Sequence, residues 1–313
     1  MRKNLIVGLL VIALSAIPAA AQQPTPQPAT PQPQAAPTPG QQLIRAGKLD
    51  EALAHYLEEL KASPDSVPAN NGAGVVLDLL GRTKEARAYF QKAIDAAATP
   101  QAKASAQRAM AMSYAFDNDC ANTAKYAEMA FDYWGTVPDY YRQGEALNEA
   151  ARVCIEAGAF DAAEKLYLRG QEAGLKEPNI SAARMALWKF RTEHALARLA
   201  ARRNQPEAAK KHVAAARAAL DGNAEMAKDQ EMYFPYLTGY VALHLGDAKA
   251  ALADLQKANQ NDPFIQVLMA QAHEKLGETD QAMALYRKAA ATVAHNPPAA
   301  FARPFATKKL SKP

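Results

Sequence analysis

Only two cysteines occur in 313 residues, too few to staple a fold, and aromatic side chains make up 7% of the chain. Val, Ile and Thr, which favour pleated strands, are also sparse. Together these shortages argue against a β-sandwich, a β-barrel or a disulfide-built mini-domain. No apolar run reaches the roughly 20 residues that a membrane-spanning helix needs. Neither sign of charge dominates, with 36 Lys and Arg against 32 Asp and Glu. What the chain has in abundance is alanine, 72 residues or close to a quarter. That excess favours helices packed closely through small side chains. The length admits one or two compact domains or a single repeat array.

The first residues stand apart from the fold. Arg2 and Lys3 precede an apolar stretch from Leu5 to Ile17, and Ala19-Ala20-Ala21 supplies a small-residue cleavage pattern before Gln22. The pattern predicts a signal peptide over 1–21, with cleavage after Ala21 and a periplasmic or secreted mature protein. Its loss removes two basic residues and lowers the net charge from +4 to +2, leaving no global basicity that would point to nucleic acid. Residues 22–40 hold seven prolines, five glutamines and no charge, a composition expected to form a disordered, polyproline-like spacer.

From Gln41 the chain repeats. Gly47-Lys48-Leu49-Asp50-Glu51-Ala52 aligns with Gly81-Arg82-Thr83-Lys84-Glu85-Ala86 at an offset of 34. Gly158, Gly246 and Gly277 begin further units, and Asn118 and Asn204 stand in the same place in two weaker ones. Asn tolerates the left-handed backbone that ends a helix, so it is the expected substitute for Gly. Seven residues before each of the last six turns stands a small residue: Gly74, Ala111, Ala151, Ala197, Gly239 and Ala270. An Ala follows most turns by five residues, and Tyr56, Phe90, Tyr167 and Tyr286 follow by nine.

These units resemble the tetratricopeptide repeat over about 41–293. The resemblance implies an all-α solenoid superhelix of about seven stacked helix-turn-helix repeats. The remainder, 294–313, with Pro297-Pro298, Lys308, Lys309 and Lys312, reads as a solvated basic tail. Cys120 should open the second helix of the third unit and Cys154 should lie near the end of the next first helix. They are neighbours in such an array, either bridged or as two buried thiols.

No catalytic constellation is visible. The six histidines show no metal-protease spacing, there is no phosphate-binding glycine loop and no nucleophile elbow, so no enzyme, cofactor or metal is expected. In the resembled family the concave face is lined mainly by the first helix of each unit. Carried over residue by residue, that face holds Asn148, Arg152, Arg191, His194 and Arg198, followed by Tyr236 and Tyr240. One reading gives the Arg residues an anion and the tyrosines an apolar or planar group; the other packs the tyrosines into the core. The resemblance implies an exported scaffold that binds a protein or peptide partner and organises an envelope complex. A glycan-binding module that stacks sugars on the two tyrosines is the alternative.

Overall fold

The computed structural model describes residues 36–311, so the signal peptide and nearly all of the spacer lie outside the described residues. Among the described residues every regular element is helical. Five helix pairs come first: α1 (Pro39–Arg45) with α2 (Leu49–Ala62), α3 (Val67–Leu79) with α4 (Thr83–Ala96), α5 (Pro100–Phe116) with α6 (Cys120–Thr136), α7 (Tyr140–Glu156) with α8 (Phe160–Gly174), and α9 (Ala182–Arg202) with α10 (Pro206–Asp221). A short α11 (Ala224–Gln230) and a 3-10 turn (Glu231–Tyr233) follow. Two more pairs, α12 (Phe234–His244) with α13 (Ala248–Leu255) and α14 (Pro263–Lys275) with α15 (Thr279–Ala290), lead to a final α16 (Pro297–Leu310).

Local chemistry explains the pairing. All seven repeat-turn residues have positive φ: Gly47, Gly81, Gly158, Gly246 and Gly277, and also Asn118 (57°) and Asn204 (55°). In the left-handed region the chain reverses, and the helix ahead of it ends. Helix starts are marked by Ser, Thr, Asp or Asn caps, as at Ser66, Thr99 and Asp262, with Pro in the first turn of α3, α5 and α14. The lengthened middle units absorb their extra residues in 17-residue helices at α5, α6 and α7, in the 21-residue α9, and in α11 with its 3-10 turn. Small residues let large rings fill the gaps between helices. A Cβ on Gly74 would come 2.7 Å from the Phe90 ring, and one on Gly174 would come 2.0 Å from Trp188, so neither site admits a side chain.

Two boundaries differ from the sequence expectation. The first helix begins inside the expected spacer, at Pro39, because Thr38 and Gln41 form a reciprocal capping box. Gly40 is buried there, close against Tyr56. The larger difference is at the other end, where the expected solvated tail is α16. Asn296 caps it and Pro297 and Pro298 occupy its first turn, so the proline pair starts a helix instead of breaking one. Ala299, Ala300, Ala302 and Ala306 are buried along one side.

Helix α16 also closes the array. It packs on α14 and α15 as the next repeat would, and its far flank meets α5 and α7. Ala299 and Ala300 join the apolar core of the first repeats. Arg303 donates to the Leu79 carbonyl at the end of α3 (2.7 Å) and to the Ala290 (2.6 Å) and Thr292 (2.5 Å) carbonyls after α15. His295 Nε2 lies 2.8 Å from Asp78 Oδ2 across 217 residues of sequence. Cys120 and Cys154 are bonded as a disulfide, which joins the start of α6 to α7.

Candidate functional site on the inner face

The first helices of the pairs line the inside of the closed array, and its middle is built by α7, α9 and α12. Helical spacing sets which residues meet there. Arg191, His194, Arg198 and Arg202 recur at three or four residues along α9, as Glu145, Asn148, Arg152 and Glu156 do along α7.

The structure sorts the seven expected residues into three groups. Arg191 is committed: it donates to Glu145 Oε1 (2.6 Å) and to the Tyr141 hydroxyl (3.1 Å). Burial raises the Glu145 carboxyl from its ordinary value, and Arg191 pulls it back. Tyr236 and Tyr240 are buried in the core, 7% and 0% exposed, against Phe264 of α14. This corrects the expectation that they line an open groove. The array closes tightly enough for the next first helix to cover both rings. Neither ring therefore offers a face on which a sugar could stack. Their hydroxyls serve the polar network instead. Arg198, 4% exposed, donates to the hydroxyls of Tyr167 (2.9 Å) and Tyr236 (3.4 Å). Tyr240 donates to Glu156 Oε1 at 2.8 Å.

The third group has unused capacity. His194 is buried and its Nε2 finds no hydrogen-bond partner. Burial pushes its pKa well down, and the Arg198 and Arg152 charges push it further, so the ring is neutral. Asn148 donates weakly to Glu145 while its Oδ1 stays unpaired. Arg152 is half-buried, and its charge reaches Glu145, His194 and Tyr236 without an ion pair to any of them among the described residues.

Sequence reasoning missed Arg202, Glu156 and Tyr167. Arg202 reads from sequence as part of a solvated outer cluster with Arg203, but it points inward. It donates to Glu156 Oε2 (2.9 Å) and to the Tyr240 hydroxyl (3.0 Å). The available signal was its spacing: Arg202 follows Arg198 by four residues, and Glu156 follows Arg152 by four. Arg203 does face outward, pairing with Asp161 and Glu164 of α8. The inner face thus carries four guanidiniums, at 152, 191, 198 and 202, but only two carboxylates bonded to them, Glu145 and Glu156. Arg152 and Arg198 are the surplus.

Beside this network a cavity of about 550 Å³ opens under α16, lined by Glu156, Arg202, His244, Phe264, Phe301 and Lys308 among others. A second, of about 460 Å³, lies on the other side of α16 and is lined by Asp78, Phe116, Arg303 and Lys308. Among the described residues no group of His, Cys, Asp and Glu is arranged to hold a metal, and no helix is long and apolar enough to cross a membrane.

Comparisons with known proteins agree with this architecture. Family models described as tetratricopeptide repeat match residues 40–103 and 265–291. Among solved structures, the apo form of RapI is 12% identical, with 88% of this chain and 97% of that chain covered and a TM-score of 0.53. A tetratricopeptide repeat protein from Parabacteroides merdae is 14% identical, covering 80% of this chain and 89% of its own, with a TM-score of 0.48. No curated protein matches the chain. Likeness at such identity speaks to the fold alone.

Proposed function

We propose that this chain, which belongs to the tetratricopeptide repeat proteins, is an exported scaffold whose inner face binds a protein partner through an acidic segment. The observation that carries this reading is the surplus of guanidiniums on that face. A buried cation without a carboxylate is costly, and groups that disfavour the isolated fold are retained where they serve a ligand. Arg152 is the accessible member of the surplus and is the residue positioned to take a partner carboxylate. The tetratricopeptide fold suggests protein partners in general. The acidic segment, the export and the organisation of an envelope complex are the proposal.

Export rests on the leader pattern at 1–21 and on the Cys120–Cys154 disulfide, which suits an oxidising compartment. A photocrosslinking residue placed at Arg152, compared with one at exposed Lys165 on α8, tests the binding face in intact cells. Arg152 is preferred to Arg198 because the latter is buried. The reading requires a discrete protein adduct from position 152 and none of that size from 165. In an affinity pull-down, recovery should be at least fivefold lower for Arg152→Glu than for Lys165→Glu, the same charge reversal on exposed α8. Equal adducts from both positions, or unchanged recovery, would reject the inner face. Mass spectrometry of the mature protein should find its N-terminus at Gln22; an intact Met1 would reject cleavage.

A further inference from the structure

We infer that the cavity of about 550 Å³ under α16 is a binding site for a small amphipathic monocarboxylate, its carboxylate held by Arg202 with Lys308 adding charge, and its apolar body packed on Phe264, Leu268 and Phe301. This goes beyond the inner-face reading and does not depend on it, because the ligand is a small molecule and no partner protein takes part. The volume lies in the range of small-molecule sites, roughly 300–1,000 Å³.

The repeat itself builds this space. Phe116, Glu156, Arg202 and His244 all line it, and each is the last residue of its helix, α5, α7, α9 and α12, two positions before the turn residue. Closing the array brings these four helix ends around one cavity, and α16 adds Phe301 and Lys308 to the wall. From α14 come Phe264 and Leu268, one turn apart, 5% and 1% exposed. The Phe264 and Phe301 rings meet edge to face, with centroids 5.2 Å apart. Water against such rings lacks the two to four polar partners that an ordered water needs. An apolar group that displaces it therefore gains affinity.

The sign of charge that the cavity accepts follows from which groups are already used. Glu156 accepts from Tyr240 and Arg202, and Asp117, also on the wall, accepts from Thr83 and Arg87. Neither carboxylate is left over. The helix ends carry partial negative charge, but Asn118, Gly158, Asn204 and Gly246 each donate to the carbonyl three residues back and so cap them. Burial, aided by the charges of Arg202 and Lys275, brings His244 down to about 3, so it supplies a neutral ring. The cations are not used up. Arg202 makes its bonds to Glu156 and Tyr240 through Nη1 alone, which leaves Nε and Nη2 without a protein acceptor among the described residues. Lys308 is exposed and pairs with no carboxylate among them, whereas its neighbour Lys309 is held by Glu274 at 2.7 Å. A free guanidinium edge and a free ammonium beside phenyl rings suit a carboxylate on an apolar body.

The test is isothermal titration calorimetry of the full chain with decanoate, decan-1-ol and decyltrimethylammonium, which share one apolar chain and differ in charge. Decanoate should bind at a single site, at least tenfold more tightly than the alcohol and the ammonium. Lys308→Gln should weaken decanoate at least fivefold, and Gln271→Trp, which fills the cavity from half-buried α14, should abolish its binding. Lys165→Gln on exposed α8 should change nothing. No saturable binding of decanoate up to about 1 mM, equal binding of the alcohol, or tighter binding of the ammonium would overturn the inference. So would a Lys308→Gln variant that binds as the wild type does. If Gln271→Trp loses its helical circular dichroism, hydrogen exchange of the wild type places the site: decanoate should slow exchange in α16 and leave α8 unchanged, and unchanged exchange in α16 would overturn it. Failure here leaves the crosslinking result at position 152 to stand or fall alone.

Discussion

Two charges are buried in this array, and the protein treats them in opposite ways. Asp78, at the seam where α16 meets the first repeats, has an imidazole and a hydroxyl from other elements on its two oxygens. Arg198, in the middle of the array, is almost as deeply buried, and its neighbours are tyrosine hydroxyls and a backbone carbonyl, with no carboxylate bonded to it. A buried pair that is broken from one side leaves an uncompensated charge, whereas a buried charge that was never paired can often be replaced by an apolar side chain with little loss. The seam therefore has the chemistry of a lock, and the centre has that of a binding surface held in readiness. Stability measurements can separate the two roles.

The largest effect concerns whether these regions unfold together. The disulfide closes a loop of 34 residues between the third and fourth pairs, where the seam side adjoins the centre. Loop-closure entropy for that length predicts that Cys120→Ser with Cys154→Ser lowers stability by about 3–4 kcal/mol. Urea titration followed by circular dichroism should show one transition at lower midpoint. Two separated transitions would mean that the seam and the centre are independent units, and the comparison would then be between two domains. Next in size is His295→Ala, which leaves Asp78 with Ser113 alone. The expected loss is about 3 kcal/mol, the lower end for a broken buried pair because Asp78 can take up a proton. A loss below about 1 kcal/mol would show that α16 is held by its alanine face and that the seam is no lock.

Much of this architecture was legible in the residues. The seven turn positions followed from local chemistry that does not depend on distant parts of the chain, and the repeat resemblance set Cys120 beside Cys154 while leaving open whether they were bridged. The closure did not. Nothing near His295 in sequence reveals that Asp78 waits for it 217 residues away, and Pro297-Pro298 opens helices and interrupts them with equal ease. At the centre, the resemblance to the repeat family placed Arg191, His194 and Arg198 on one face but not how deep that face lies. The depth comes from Phe264 and the closing of the array, which turned Tyr236 and Tyr240 from lining into core. Arg202 was missed for a narrower reason. It stands among three other basic residues around a turn, and composition outweighed the four-residue spacing that aligns it with Arg198.

The third prediction is the counterpart of the second. Arg198→Met keeps the volume and removes the charge, leaving the Tyr167 and Tyr236 hydroxyls to find new partners. Relief from burying a cation and loss of three hydrogen bonds, two to tyrosine hydroxyls and one to the His194 carbonyl, should nearly cancel, so stability should change by no more than about 1 kcal/mol in either direction. A loss of 3 kcal/mol or more would make Arg198 a second lock and erase the distinction between the two regions.

The smallest effect sharpens the distinction through pH. Burial holds the Asp78 carboxyl above its ordinary value of 3.8, so its contribution favours the fold below that value and is lost as pH rises through the raised folded value. Asn cannot titrate. The stability of Asp78→Asn relative to wild type should therefore improve as pH goes from about 4 to 7, even if the variant is the weaker protein throughout. Arg87, Ser113 and His295 face the group in both proteins, so the comparison of the two curves reads the Asp78 carboxyl. Matched thermal melts across that range read the sign directly. A relative stability that falls as pH rises would mean that His295 more than offsets the burial of Asp78. The lock would then be a strong ion pair between Asp78 and His295.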